Sequence, residues 1–337
     1  MTGKSVQSKL FSGETSVKEI VKTVRPVIIS ASRATDIPAF YSDWFFNRLS
    51  EGWCIKFNPY SNRPLRVDFR DTRFVVFWTK NPSPIIDRLG ILEEKGLGYY
   101  FQYTLNDYEK EGIERNVPPL NERIDAFRNL SEVTGKERVI WRFDPLLLSD
   151  TVCVDTLLSR IEMIGGEIHQ YTEKFVFSFI DLYKSVKRNL DHAGYSGIRE
   201  FTVDEMKEFA SGLQKMTSAW GVSAAPCAEE ADLPGYGISK NRCIDPDLIK
   251  RLFGNDSDLL RYIEKNPGKD PGQRPLCGCM RSTDIGQYNT CMHLCSYCYA
   301  NRYPGLIRSN YDNHRNRPPG VTITGEKIGD IWDLEDE

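Results

Sequence analysis

Short apolar runs alternate with amphipathic stretches along the first two thirds of the chain, and this alternation constrains the fold more than any other feature. Runs rich in β-branched and aromatic residues lie at 27–31, 53–57, 73–78, 98–104, 138–143, 174–180 and 222–225, each of strand length. Between most of them lie segments of helical period at 38–49, 84–95, 120–134, 154–164 and 203–217. Strands alternating with helices imply parallel βα units joined by right-handed crossovers. About seven or eight such units without a Gly-rich dinucleotide fingerprint predict an α/β fold of the (β/α) TIM-barrel type, with a doubly wound sheet as the alternative.

The rhythm breaks after residue 225. Pro, Gly and Cys become frequent through 226–310, which reads as a Cys-rich segment laid over the barrel mouth. Residues 1–25 are polar and read as a peripheral N-terminal extension, 26–225 as the barrel, and 311–337 as a C-terminal tail. There is no run of about 18 apolar residues, so no membrane span is expected. The first residues lack the apolar core of a signal peptide, which predicts a cytoplasmic protein. In that compartment thiols stay reduced, so nine cysteines argue for metal or redox work rather than disulfides. The net charge of −3 argues against a dedicated nucleic-acid binder.

In a barrel of this type the chemistry sits just after each strand. Those positions carry Arg33 and Asp36, Lys56 and Asn58, Lys80 and Asn81, Gln102 and Asn106, Arg142 and Asp144, Asp181 and Lys184, and Cys227 with Glu229 and Glu230. Asp36, Asp144 and Asp181 each also read as helix N-caps, and Arg142 as a partner of Asp144 or Asp36. As a set they predict a polar pocket, because charges inside apolar strand ends are costly to bury unless paired or used.

Three cysteines, Cys291, Cys295 and Cys298, stand at C-x3-C-x2-C spacing with Tyr297 just before the last. A short loop can turn three such sulfurs toward one centre. A [4Fe–4S] cluster takes four thiolates, so three leave one iron for a ligand that is not protein. A zinc knuckle built from the same thiols with His293 or an upstream Cys is the alternative. Cys54 and Cys153 read as inert core residues. Cys227, Cys243, Cys277 and Cys279 read either as ligands of a second [4Fe–4S] cluster or a zinc, as ordinary thiols, or, for Cys277 and Cys279, as thiol partners in catalysis.

The cysteine spacing and its aromatic resemble the radical S-adenosylmethionine (SAM) signature. More specifically, Ile29-Ser-Ala-Ser-Arg33-Ala-Thr-Asp36-Ile-Pro38, Phe77-Trp-Thr-Lys80-Asn81-Pro82, Arg138-Val-Ile-Trp-Arg142-Phe-Asp144-Pro145, Cys227-Ala-Glu229-Glu230 and Tyr288-Asn-Thr-Cys291 with Tyr297-Cys298-Tyr-Ala-Asn301 resemble the bacterial domain-of-unknown-function family 1848 over roughly residues 26–305. That resemblance implies a barrel circularly permuted relative to radical SAM enzymes. It implies Cys291, Cys295 and Cys298 as ligands of a [4Fe–4S] cluster whose free iron chelates SAM, with Tyr297 beside the adenine. The Cys-Tyr-Ala-Asn string also resembles spore photoproduct lyase.

The expectations that follow are a radical SAM-type enzyme acting on a small molecule, with a reductant such as flavodoxin or ferredoxin. Arg33, Lys80 and Arg142 would anchor carboxylate or phosphate groups, and Asp36, Asp144 and Glu229 would bind a ribose or an amine. Two alternatives stand beside it. One is a nucleic-acid repair lyase using Arg302, Arg308, Arg315 and Arg317 as a basic groove, and the other is a non-enzymatic zinc or iron–sulfur module.

Overall fold

The structure is a computed structural model that describes residues 19–228, 234–238, 240–316, 320–326 and 332–334. Eleven strands are described: β1 Glu19–Val24, β2 Ile28–Ala31, β3 Trp53–Phe57, β4 Pro64–Asp68, β5 Phe74–Thr79, β6 Gly98–Thr104, β7 Val139–Leu146, β8 Lys174–Phe179, β9 Ser223–Pro226, β10 Thr283–Asp284 and β11 Trp332–Leu334. The helices are α1 Ile37–Phe40, α2 Ser42–Glu51, α3 Ser83–Ile86, α4 Gly90–Glu94, α5 Leu120–Thr134, α6 Val154–Ile168, α7 Lys184–His192, α8 Val203–Trp220, α9 Pro246–Leu252, α10 Ser257–Lys265 and α11 Pro304–Asn316. Their ends carry local signals. Thr202 and Glu205 form a reciprocal capping box on α8, and Gly52 ends α2 at φ 82°.

The main sheet has seven parallel strands in the order β10-β2-β5-β6-β7-β8-β9. From β2 to β9 the neighbours follow one another along the chain, as in a barrel wall. Closure is another matter. β9 and β10 occupy the two edges, and among the described residues they do not pair, so the sheet is an open α/β sheet.

The run 53–57 does form a strand, but not the second strand of this wall. It pairs antiparallel with β4 across the six-residue loop 58–63 and joins a separate sheet of order β11-β1-β4-β3. The reason is reach: a parallel crossover needs a dozen or more residues, and six suffice only for a hairpin. The stretch expected to be peripheral, 1–25, ends in β1, where Val21 is fully buried. The break at 310/311 falls inside α11, and Thr322 bridges to Ile55.

The two faces of the main sheet are covered differently. Ile29, Val75, Phe77, Phe101, Trp141, Phe175 and Phe177 pack with the helices that connect the strands. The alternate residues Ile28, Phe74, Val76, Tyr100, Ile140 and Val176 pack instead against Ile244, Leu248, Ile249, Leu259 and Ile263, on and around α9 and α10. Such alternation is the period of two that a strand imposes. The Cys-rich segment therefore covers the apolar half of one sheet face through α9 and α10.

Candidate functional site

On the face that α9 and α10 cover, the five central strands β2, β5, β6, β7 and β8 change character partway along, four of them from apolar to polar. Ile28 gives way to Ser30, Phe74 and Val76 to Trp78, Tyr100 to Gln102, Ile140 to Arg142, and Val176 to Ser178. The polar half lies at the C-terminal ends of the strands, and the cysteine loop is fastened over the ends of β2, β5 and β6.

Backbone groups of the loop are held from several directions. Tyr41 Oη donates to Thr290 O at 2.7 Å, Asn301 Nδ2 to Cys291 O at 2.8 Å, and Asn189 Nδ2 to Cys298 O at 2.8 Å. The Ser296 N–H donates to Ile113 O at 2.8 Å, and Asn116 takes the carbonyls of Met292 and His293. Asn289 and Leu294 both sit at positive φ, 58° and 53°. A leucine in the left-handed region costs roughly 1–2 kcal/mol, so these fastenings hold the loop against its own backbone preference.

Asp36 is both the cap it was expected to be and more. Its Oδ1 accepts from Ala39 N at 3.0 Å, while Oδ2 accepts from Lys80 N at 2.6 Å and faces His293 Nε2 at 2.8 Å. His293 is buried, and its Nδ1 faces Asn116 O at 3.2 Å. Both ring nitrogens are thus occupied by protein oxygens, and neither is turned to the thiols. This removes His293 as the fourth ligand of a zinc knuckle.

Glu114, which the sequence pattern does not single out, is the centre of the site. Its Oε1 accepts from Lys80 Nζ at 2.7 Å, Asn106 Nδ2 at 2.9 Å and the Tyr297 hydroxyl. Arg123, fully buried, stands 3.8 Å from Oε2. Burial opposes the charge on Glu114, but Lys80, Arg123 and these hydrogen bonds prevail and hold its carboxyl down at about 2. Lys80 also lies over the Tyr297 ring. Asn106 carries the network onward, donating to Asp144 O at 3.0 Å and accepting from Asp144 N at 2.9 Å. The Asp144 carboxylate then binds Arg142 and Ser178. Burial opposes its charge too, yet Arg142 keeps its carboxyl below the usual range.

Arg142 donates from Nη1 to Gln102 Oε1 and Cys243 Sγ, both at 3.0 Å. Arg33 lies over the Trp78 ring, and Asp284 organises the turn beneath it. Asp284 accepts from Ser30, Ser32, the Arg33 N–H and the Gly286 N–H at 2.8–2.9 Å. A Cβ on Gly286 would stand 1.9 Å from Ser32 Oγ, so glycine is required where β10 closes on β2. Beside Glu114 and Arg123 opens a cavity of about 320 Å³, lined also by Tyr108, Glu109 and Val117.

The structure thus brings Arg33, Asp36, Lys80, Arg142, Asp144, Tyr297 and the three-cysteine loop to the C-terminal end of the sheet, with Cys227, Cys243, Cys277 and Cys279 on the face that α9 and α10 cover. Glu229 and Arg317 lie outside the described residues. Asp181 is drawn away to Arg274, and Cys153, expected in the core, is exposed because it stands at the start of α6. Cys54 is buried as expected. Among the described residues no group of three or more His, Cys, Asp or Glu side chains is disposed to hold a single metal ion. Cys291, Cys295 and Cys298 nonetheless lie near enough to act on one another. Burial first, then Asp36 and Cys298, pushes the Cys291 thiol up to about 12. Cys295 is also raised, with Lys80 opposing.

The residues that the sequence pattern left unnoticed are Glu114 in a loop, Arg123 on α5 and Asp284 on the two-residue strand β10, none of them at the end of a strand read from the sequence. The polar ends of β2, β6, β7 and β8 follow from the residues at the strand ends.

Residues 28–300 match the family described as Domain of unknown function (DUF1848), and the chain belongs to that family. Nothing among the curated proteins matches it. A solved structure from Bacteroides thetaiotaomicron, provisionally assigned as an alpha-L-fucosidase, aligns over 93% of this chain and 98% of its own. It does so at 14% identity and a TM-score of 0.27.

Proposed function

We propose that the chain is a radical SAM-type enzyme in which Cys291, Cys295 and Cys298 hold a [4Fe–4S] cluster. The observation that supports this best is the seating of one three-cysteine loop over the C-terminal ends of consecutive parallel strands, beside a buried polar network. Three thiols fit a cluster that keeps one iron free. A cluster is wider than an ion, so its ligands need not form the tight nest that a mononuclear zinc draws at about 2.3 Å per sulfur. When bound, such a cluster supplies the electron that cleaves SAM reductively and starts radical chemistry. In the same reading the open sheet is the wall of an incomplete barrel, permuted so that the cluster loop comes last.

The chain's own part is to orient, to neutralise charge and to exclude water. Lys80 places a positive charge beside Cys295 and Cys298, offsetting the cost of thiolates in a buried loop. Asp36 and His293 fix the loop against the end of β5. Glu114 holds Tyr297 and Lys80 in one orientation. The guanidinium of Arg33 and the carboxylate of Asp144 lie on the polar half of the sheet face, where a small-molecule substrate would meet them. A one-electron donor such as flavodoxin or ferredoxin, and a reducing compartment such as the cytoplasm, belong to this proposal.

The test is oxygen-free purification, iron and sulfide analysis, and an assay of SAM cleavage with a chemical reductant. Alanine at any one of Cys291, Cys295 or Cys298 is expected to abolish cleavage, and cleavage retained in all three variants overturns the assignment. Zinc without iron would instead make the chain a binding module. A second reading, nucleic-acid repair, draws on the exposed Arg302, Arg308 and Arg315 on and before α11, next to the loop. It requires a DNA affinity that falls steeply with salt.

A further inference from the structure

The other four cysteines, distant in sequence, come together on the sheet face that α9 and α10 cover. Cys227 follows β9, Cys243 precedes α9, and Cys277 and Cys279 precede β10. Cys227 Sγ and Cys243 Sγ are 3.5 Å apart. Cys279 lies within electrostatic reach of both Cys243 and Cys277, so the sulfurs follow one another in the order 227–243–279–277. Cys243 and Cys279 are buried, and Cys227 and Cys277 are half-buried.

Two further features surround this chain of sulfurs. The inner two accept N–H donors: Arg142 Nη1 at 3.0 Å and Asn241 Nδ2 at 3.1 Å reach Cys243 Sγ, and Ile244 N at 3.3 Å reaches Cys279 Sγ. A neutral thiol is a weak acceptor, whereas a metal-bound thiolate is a strong one that such donors stabilise. Positive charge is also gathered there. Arg33, Arg142 and Arg274 all lie within electrostatic reach of these sulfurs. Arg33 Nη2 and Arg142 Nε are buried with no hydrogen-bond partner among the described residues. Asp144 and Asp284 each set one carboxylate beside Arg142 and Arg33, and a divalent metal held by four thiolates would add two net negative charges for the unpartnered N–H groups to face.

We propose that Cys227, Cys243, Cys277 and Cys279 form a closed four-thiolate metal centre, separate from the three-cysteine loop. The metal gathers the outer sulfurs, Cys227 and Cys277, onto the inner pair, which turns the chain of contacts into a closed set. Zinc and an iron–sulfur cluster share this ligand chemistry. Four protein ligands leave no open position, so the centre is a structural or electron-carrying one rather than a site of substrate binding. It ties the end of β9 to the segment that covers the sheet face. The inference does not depend on the radical SAM reading.

The test uses the full chain carrying Cys291→Ala, Cys295→Ala and Cys298→Ala together, purified without oxygen and offered iron with sulfide, or zinc. The expected result is about one centre per chain, read either as about four irons with sulfide or about one zinc. Adding Cys243→Ser and Cys279→Ser is expected to remove it, while adding Cys153→Ala, a change at an exposed thiol, leaves it unchanged. A triple variant that keeps its circular dichroism but binds neither metal overturns the proposal. So does metal that survives the Cys243 and Cys279 changes. The metal difference between the parent and the triple variant reports the first site, so the two assignments succeed or fail separately.

Discussion

Replacing Glu114 with Gln tests the electrostatic argument at the centre of the site. The substitution keeps the shape and removes the charge that Lys80 and Arg123 face. In the folded chain the Glu114 carboxyl is lowered from 4.5 to about 2. At about 1.36 kcal/mol per pH unit, that corresponds to roughly 3 kcal/mol of stability at neutral pH. A second route gives the same size, since removing one partner of a buried ion pair costs about 3–5 kcal/mol. Because the folded pKa is depressed, this stability is fully present above about 4.5 and is lost as the pH falls toward about 2. Urea unfolding of parent and variant, compared at pH 7 and at steps down to pH 4, reads both quantities. The expected outcome is a deficit of roughly 3 kcal/mol at pH 7 that begins to shrink below about pH 4.5. A deficit under 1 kcal/mol at pH 7, or one that is constant with pH, would refute the reasoning.

Other perturbations follow from the same geometry. Gly286→Ala forces a Cβ to 1.9 Å from Ser32 Oγ and is expected to lower the thermal midpoint by an overpacking cost of about 1–3 kcal/mol. A midpoint equal to the parent's would mean that β10 is not held against β2 as described. Thr202→Ala removes the capping box of α8 and should cost about 1 kcal/mol in urea unfolding. Asp36→Asn weakens three contacts at once, to Ala39, Lys80 and His293. It is expected to raise amide exchange in the 290–298 loop, and exchange rates equal to the parent's would show the loop to be held by its other fastenings alone.

Much of this was legible in the sequence. The runs at 98–104 and 120–134 form a strand and a helix with the expected ends, because aromatic and helical periods there are long and unbroken. The run 53–57 was recognisable as a strand but not as a member of the small sheet. Its partner β4, Pro-Leu-Arg-Val-Asp, begins with proline and carries two charges, so it gives no strand signal of its own. α9 and α10 sit among Pro, Gly and Asp residues that read as loop, and only their packing on Ile28, Phe74 and Tyr100 shows why they are helical. Of the site, the residues at strand ends were visible because their position follows from the strand. Glu114 was not, because nothing in Ile113-Glu114-Arg115-Asn116 distinguishes it from a solvated loop until Lys80, Arg123 and Tyr297 are placed around it.

The cysteine loop spans 288–301, yet it rests on side chains at positions 36, 41, 80 and 116, which leave the ribosome long before it does. During synthesis the sheet can therefore form while the end that will receive the thiols stands uncovered, with Asp36 and Tyr41 lacking their late partners. Growth of the chain is vectorial, and domains fold as their residues emerge. Any metal held by the loop must then be delivered after residue 298 has emerged. A chain terminated near residue 280 would retain most of the wall but none of the loop, and it would expose surfaces that the 337-residue chain covers.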